Sequence, residues 1–224
     1  MPVSFYSIAL VLGIVLSAVY LLFGDELKEY KKINSLVLLI LMSELLSESI
    51  WTLNSASGKD SFLLYNILYV YLRPTVMLLL FSHLQYSCHL QRKVLPTMGV
   101  FLLLGILNSL FFQSILADIQ SYSFLIGHGM VLFYCIIFFK DILHQNRYRD
   151  VNLLSLPYFW MASLILFSFG ESYIFFILTY YLPSLGNYSM GHIFHWVQSF
   201  GGIMYLTLGL SFYAPLIFKR RYSY

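Results

Sequence analysis

Seven apolar runs alternate with short polar segments along this chain. The runs lie at about Val3–Phe23, Asn34–Leu53, Phe62–Tyr86, Val94–Gln113, Tyr122–Phe139, Leu154–Leu182 and Met190–Phe218. A helix needs about 20 apolar residues to cross a hydrocarbon core of about 30 Å, and each run meets or approaches that length. The third, sixth and seventh are long enough to tilt or project. Between the runs stand GDELKEYKK, NSASGKDS, CHLQRK, SILADIQS, KDILHQNRYRD and PSLGNYS. The runs are apolar all round, unlike the roughly ten-residue alternating strands of a barrel. Backbone groups in lipid must be satisfied within their own segment, so the runs are helices. The predicted fold is all-α: a polytopic integral membrane bundle of seven transmembrane helices, with residues 1–224 as one transmembrane domain. Short loops pack neighbouring helices antiparallel.

Composition agrees with the pattern and excludes other classes. Of 224 residues, 59% are hydrophobic and only 10% charged, against about 25% charged in soluble domains. Too few charges remain to clothe a water-facing surface, so a soluble enzyme or nucleic-acid binder is excluded. An aromatic content of 19% excludes a disordered chain. Cys88 and Cys135 fall on different helices at different depths and read as packing residues. The first run ends in a charged loop and follows Met1 with no basic segment, which reads as a retained first helix, with a cleaved signal peptide as the alternative.

The few charges orient the bundle. Lys28, Lys31 and Lys32 share one side with Arg92, Lys93, Lys140, Arg147 and Arg149, and with Lys219, Arg220 and Arg221 in the tail. Lys59 alone stands on the other side, and Arg73 lies within a helix. The positive-inside rule therefore places the amino terminus outside and the carboxyl terminus in the cytoplasm. The basic tail suits anionic lipid better than nucleic acid.

An ionisable group within the membrane costs about 2.5–3.5 kcal/mol on insertion scales, which makes each one a candidate for function. Glu44, Glu48, Arg73, His128, Glu171, His192 and His195 form the candidate ligand site or polar core. At about 1.5 Å per residue, Arg73 and Glu171 lie about 16 Å deep, and Glu44 about 15 Å from the inner edge. Glu48, His128 and His195 lie roughly 8–10 Å from the outer edge, and His192 near the surface. Glu44 and Glu48 stand one turn apart on one helix face, and Arg73, at nearly the depth of Glu44, is the natural counter-ion. Pro74 removes a backbone donor beside it and is expected to kink the helix. Two readings fit: a polar pocket reached from outside with Arg73 as anion anchor, or a Glu–Arg clamp that fixes helix packing.

His192 and His195 stand at i and i+3 on the seventh helix. With His128 and Glu171 they could form a zinc site of three nitrogens and one oxygen. Proton relay or pH sensing is an alternative, and so are plain capping and interhelical hydrogen bonding. An HxxH pair alone is a poor zinc signal, so no cofactor is expected; zinc at His128, His192 and His195 is the one exception to check. The seventh helix has no lysine between Met190 and Phe218, so there is no site for a retinal Schiff base. GxSxG, P-loop and dinucleotide motifs are absent from the sequence.

Helices three to seven resemble a large family of uncharacterised small seven-helix membrane proteins of Bacteroidota. The resemblance rests on Tyr65-Asn66-Ile67-Leu68-Tyr69 before Pro74, on Asn108 through Ser114 (NSLFFQS), and on Ser121-Tyr122. It continues in Phe159-Trp160, Phe167-Ser168-Phe169-Gly170 and His195, over about two-thirds of the chain. Members often carry an acidic residue near the position of Gly127 and His128; the histidine here departs from that pattern and counts against a shared metal site. The resemblance implies a bacterial inner-membrane protein and brings no activity with it. More loosely, the layout is similar to seven-helix sensor modules attached to bacterial histidine kinases.

The expectation is a receptor-like or sensory protein of the bacterial cytoplasmic membrane, and not an enzyme. Its partners would be the lipid bilayer, a small-molecule ligand from outside and a cytoplasmic signalling protein, with no nucleic acid. Ligand or proton binding around Glu48, Arg73, Glu171 and His195 would bias the packing of helices three, six and seven. A small transporter with a 3+1+3 helix repeat is the alternative, hinted at by the likeness of Ser47-Glu48-Ser49-Ile50 to Gly170-Glu171-Ser172-Tyr173. An intramembrane metal-dependent hydrolase is the third reading.

Overall fold

The computed structural model describes residues 5–23, 28–57, 62–84, 88–144, 152–180 and 190–218, and their side chains except at 28–29, 51, 53–57, 88–91, 144, 180 and 190–194. The helices are α1 (Phe5–Phe23), α2 (Lys28–Ser57), α3 (Phe62–Leu84), α4 (Cys88–Phe111), α5 (Ser121–His144), α6 (Pro157–Tyr180) and α7 (Met190–Leu210). A 3₁₀ turn (Ser211–Tyr213) carries α7 into a short final helix, Ala214–Phe218. The described residues contain no strand, and seven helices are long and apolar enough to span a membrane. Large apolar side chains such as Leu22, Phe111 and Leu143 are three-quarters exposed, as suits helices whose outer faces meet lipid. The protein is an integral membrane protein.

Three helices outrun their apolar stretches. α2 begins at Lys28 rather than Asn34, α4 at Cys88 rather than Val94, and α5 runs to His144 rather than Phe139. Hydropathy ends where lipid ends, whereas a helix continues until its backbone bonds are broken. At the opposite extreme, α6 starts later than its apolar run, at Pro157, because Leu153–Ser155 form a 3₁₀ turn capped by the Asn152 side chain.

The helices pack largely in sequence around a closed ring, α1 against both α2 and α7, with α5 touching α3, α4 and α6. α4 is the least buried span. The core runs through Leu10, Ile40, Met77, Phe81, Phe169 and Phe212, all essentially inaccessible. α1 and α7 close the ring at backbone contact. A Cβ on Gly13 would stand 2.5 Å from the Tyr205 carbonyl oxygen, and one on Gly209 would strike the Gly13 carbonyl. Ala9, Gly13 and Ser17, one turn apart and buried, form the α1 side of this seam. In lipid such small-residue approaches replace the hydrophobic effect as the packing force. The Tyr213 hydroxyl then donates to the Leu16 carbonyl oxygen at 3.0 Å.

Two polar contacts fix neighbours further. Ser17 donates to Asn34 Oδ1 at 2.5 Å and receives Asn34 Nδ2 on its carbonyl at 2.9 Å, joining α1 to α2. Asn66 on α3 holds the α4–α5 connection: its Nδ2 donates to the carbonyls of Ile115 (3.0 Å) and Asp118 (2.8 Å), and its Oδ1 accepts from Gln120 N–H (3.0 Å). Gln120 in turn accepts from Tyr71 and bonds Ser109, while Asn108 bonds Ser123 and Gln113. Asn66, Asn108, Ser109 and Gln113 thus serve to lock this connection.

Residues Asn66–Leu72 of α3 form a π-helical segment, in which the Arg73 N–H bonds the Leu68 carbonyl five residues back. Pro74 explains it. Proline lacks an N–H and its ring clashes with the carbonyl four residues earlier, and a widened turn relieves both problems. Where the sequence predicts a kink, α3 changes its hydrogen-bond register.

Candidate functional site

The π-helical segment ends at Arg73. Only 4% exposed, Arg73 lies with its guanidinium carbon 4.7 Å from the ring centroid of Tyr69, 4.8 Å from that of Phe169 and 5.7 Å from that of Tyr205. Cation–π contacts of this kind are worth about 0.5–2 kcal/mol each. Glu44, 6% exposed, places Oε2 3.8 Å from Arg73 Nε and accepts a 2.7 Å hydrogen bond from the Tyr6 hydroxyl on Oε1. Arg73 Nε itself makes no hydrogen bond, so the ion pair is loose while the Tyr6 bond is tight. The Tyr205 hydroxyl is buried beside Glu44, without a hydrogen bond of good geometry. Tyr6 and Tyr205 also meet edge to face, at 5.8 Å.

Tyr6, Tyr69, Arg73 and Tyr205 of this group line a cavity of about 320 Å³. Tyr6 of α1, Ser47 and Glu48 of α2, and Tyr65, Tyr69 and Arg73 of α3 line it. Opposite stand Ser168 and Ser172 of α6 and Val197, Gln198, Gly201 and Tyr205 of α7. Five helices therefore converge, and they do so near the end of the bundle where α1, α3 and α7 begin and α2 and α6 finish. The Glu48 carboxylate stands one turn beyond Glu44 on α2, half-buried on the cavity wall. A second hollow of about 390 Å³ between α4, α5 and α6 is walled by groups such as Ile126, Phe133 and Tyr134 and has no charged lining; recognition chemistry belongs to the first.

The seven candidate residues separate. Glu48 and Arg73 line the cavity, and Glu44 pairs with Arg73 beside it. His128 is fully buried behind it: its ring stacks 3.7 Å from Phe124 and lies 4.7 Å from Phe169, and Nδ1 contacts the Phe124 carbonyl at 3.2 Å. Its Nε2 is buried without a partner. Glu171 is outside the cavity lining, with Oε2 buried and unpartnered, whereas its neighbour Ser172 lines the wall. The short likeness between α2 and α6 thus sets Glu48 and Glu171 in unlike surroundings. His195 is exposed at the start of the α7 span, and the side chain of His192 lies outside the described residues. The described side chains of α7 become buried from Gly201 onward.

Among the described residues no three His, Cys, Asp or Glu side chains gather as metal ligands. His128 in the core and His195 at the surface do not meet. Glu48 is the acid that lines the cavity, and Glu44 pairs with Arg73 beside it. Sequence reasoning missed Tyr6, Tyr69, Phe169 and Tyr205. Tyr69 was within reach, since it stands one turn before Arg73 on α3. Comparison with protein-family models, curated proteins and solved structures finds no match to this chain.

Proposed function

We propose that the protein is a receptor-like sensory module of a bacterial cytoplasmic membrane. Its cavity admits a small polar ligand from outside, and its basic face meets a signalling partner in the cytoplasm. The observation that carries this reading is the convergence of five helices on one cavity lined by Arg73 and Tyr6, both held by Glu44. The one-sided distribution of lysine and arginine supports the orientation, amino terminus outside and cavity outward. A ligand bound there touches α3, α6 and α7 together and biases their packing in proportion to its differential affinity for two arrangements. The π-helical turn of α3 beside the site is a place where such a change is absorbed.

The test is thiol accessibility. In a chain with Cys88 and Cys135 replaced by alanine, Ser47→Cys or Ser172→Cys should react with a membrane-impermeant maleimide applied to intact cells. Reaction only in inverted vesicles overturns the outward cavity. A second reading, a transporter with a 3+1+3 repeat, draws on the peripheral position of α4, the helix that would link the two triplets. It requires accumulation of a substrate in proteoliposomes and reaction of the same thiols from both sides.

A further inference from the structure

Two charged groups at the cavity have binding capacity left over, and they are of opposite sign. Arginine has five N–H donors. The aromatic rings around Arg73 cover guanidinium faces, its nearest carboxylate oxygen is 3.8 Å away, and Nε makes no hydrogen bond. Arg73 lines the cavity; Nε is buried, so a ligand there meets the terminal N–H groups. Glu48 lines the same cavity one helical turn away, and no described ion pair or side-chain hydrogen bond reaches its carboxylate. Tyr65 lines the cavity as well, stacked at 4.9 Å on Tyr69, whose ring already carries the Arg73 guanidinium.

A simple anion at Arg73 would leave Glu48 uncompensated, and a simple cation at Glu48 would gain nothing from Arg73. A half-buried charge without a partner is costly, so the best occupant satisfies both. Arg73 pairs with Glu44, and Glu48 follows Glu44 by one turn, so Arg73 and Glu48 differ in height by about 6 Å. Ser168, Ser172 and Gln198 supply neutral hydrogen-bonding groups on the opposite wall. A volume of about 320 Å³ lies at the small end of ligand pockets, about 300–1,000 Å³.

We propose that the ligand is a small zwitterion of the amino-acid class, its carboxylate held by Arg73 and its ammonium by Glu48. This rests on the reading of the cavity as an outward-facing ligand site. Glu44 and Tyr6 position Arg73, and the serines and Gln198 select among side chains.

The experiment uses the full chain in intact cells, with Ser172→Cys in the background lacking Cys88 and Cys135, and reads protection from the impermeant maleimide. The probes are the twenty protein amino acids, β-alanine and γ-aminobutyrate, each with its carboxamide and its N-acetyl counterpart. At least one zwitterion should slow labelling, and its carboxamide and N-acetyl forms should need at least about tenfold higher concentration, the loss of one charged contact. Glu48→Gln should weaken protection by that zwitterion about tenfold or more while leaving the N-acetyl form unchanged. Glu48→Gln keeps the side-chain shape, and its labelling without ligand reports whether the fold survives. A carboxamide or N-acetyl form as effective as the parent overturns the zwitterion in favour of a cation or an anion. Labelling that no zwitterion slows overturns the ligand class and leaves the open cavity standing. A thiol unreactive from outside overturns both.

Discussion

Replacing Glu44 by glutamine preserves its shape and removes its charge, leaving Arg73 a buried cation among three rings. At 3.8 Å and an effective dielectric constant of about 20, two unit charges attract by about 4 kcal/mol. Removing one partner of a buried pair typically costs about 3–5 kcal/mol, because the survivor stays buried and unpaired. Arg73→Met leaves Glu44 with the Tyr6 hydroxyl as its one hydrogen-bond donor among the described residues. Each single variant should therefore lose about 3–5 kcal/mol, and the double variant should lose less than their sum by about 2–4 kcal/mol. The assay is reversible unfolding in mixed micelles as the denaturing detergent fraction rises, followed by tryptophan fluorescence, for all four corners of the cycle. Additivity within about 0.5 kcal/mol would refute the ion pair as an energetic unit and leave Arg73 held by its aromatic rings alone.

Other perturbations follow from particular contacts. Gly209→Ala places a methyl group on the Gly13 carbonyl, whereas Gly170→Ala meets nothing within 4 Å; thermal denaturation in detergent should show a marked loss for the first and up to about 1 kcal/mol of gain for the second. Equal effects would mean that α1 and α7 part readily. Asn66→Ala removes three hydrogen bonds to the α4–α5 connection, about 3 kcal/mol in all. Hydrogen exchange over residues 112–120 should accelerate while the middle of α5 keeps its protection; unchanged exchange would dismiss the lock. His128→Phe keeps the stack on Phe124 and removes a buried Nε2 with no partner, so stability should hold within about 1 kcal/mol. A loss above about 3 kcal/mol would show that the imidazole makes a bond that a phenyl ring cannot replace.

The membrane-spanning architecture is written in the sequence because burial in lipid demands unbroken apolar length, and length can be counted. The Glu44–Arg73 pair was legible for a related reason: depth follows from residue number at a fixed rise, and two opposite charges at one depth seek each other. Rotation about the helix axis is different. Every face of these helices is apolar, so no amphipathic stripe marks which side of α7 faces the core, and His195 could be placed by height alone. Tyr6, Phe169 and Tyr205 were hidden for the same reason, since aromatic residues that box a cation look like those that face lipid. Ala9, Gly13 and Ser17 did carry a signal, small residues at four-residue spacing, and it was passed over. The register change in α3 was half legible: Pro74 marked the place, but sequence does not say whether a helix yields by bending or by widening a turn.

The seam between α1 and α7 also sets a timetable. Leu16 meets Tyr213, 197 residues later, and a ribosome adding about 5–20 residues per second separates the two by roughly 10–40 s. Throughout that interval the small-residue edge of α1 has no α7 to receive it, and the wall that Tyr205 gives to Arg73 does not yet exist. Until α7 emerges, the nascent bundle is an open ring, with its costliest charges short of a wall and in need of lipid, water or a chaperone to cover them.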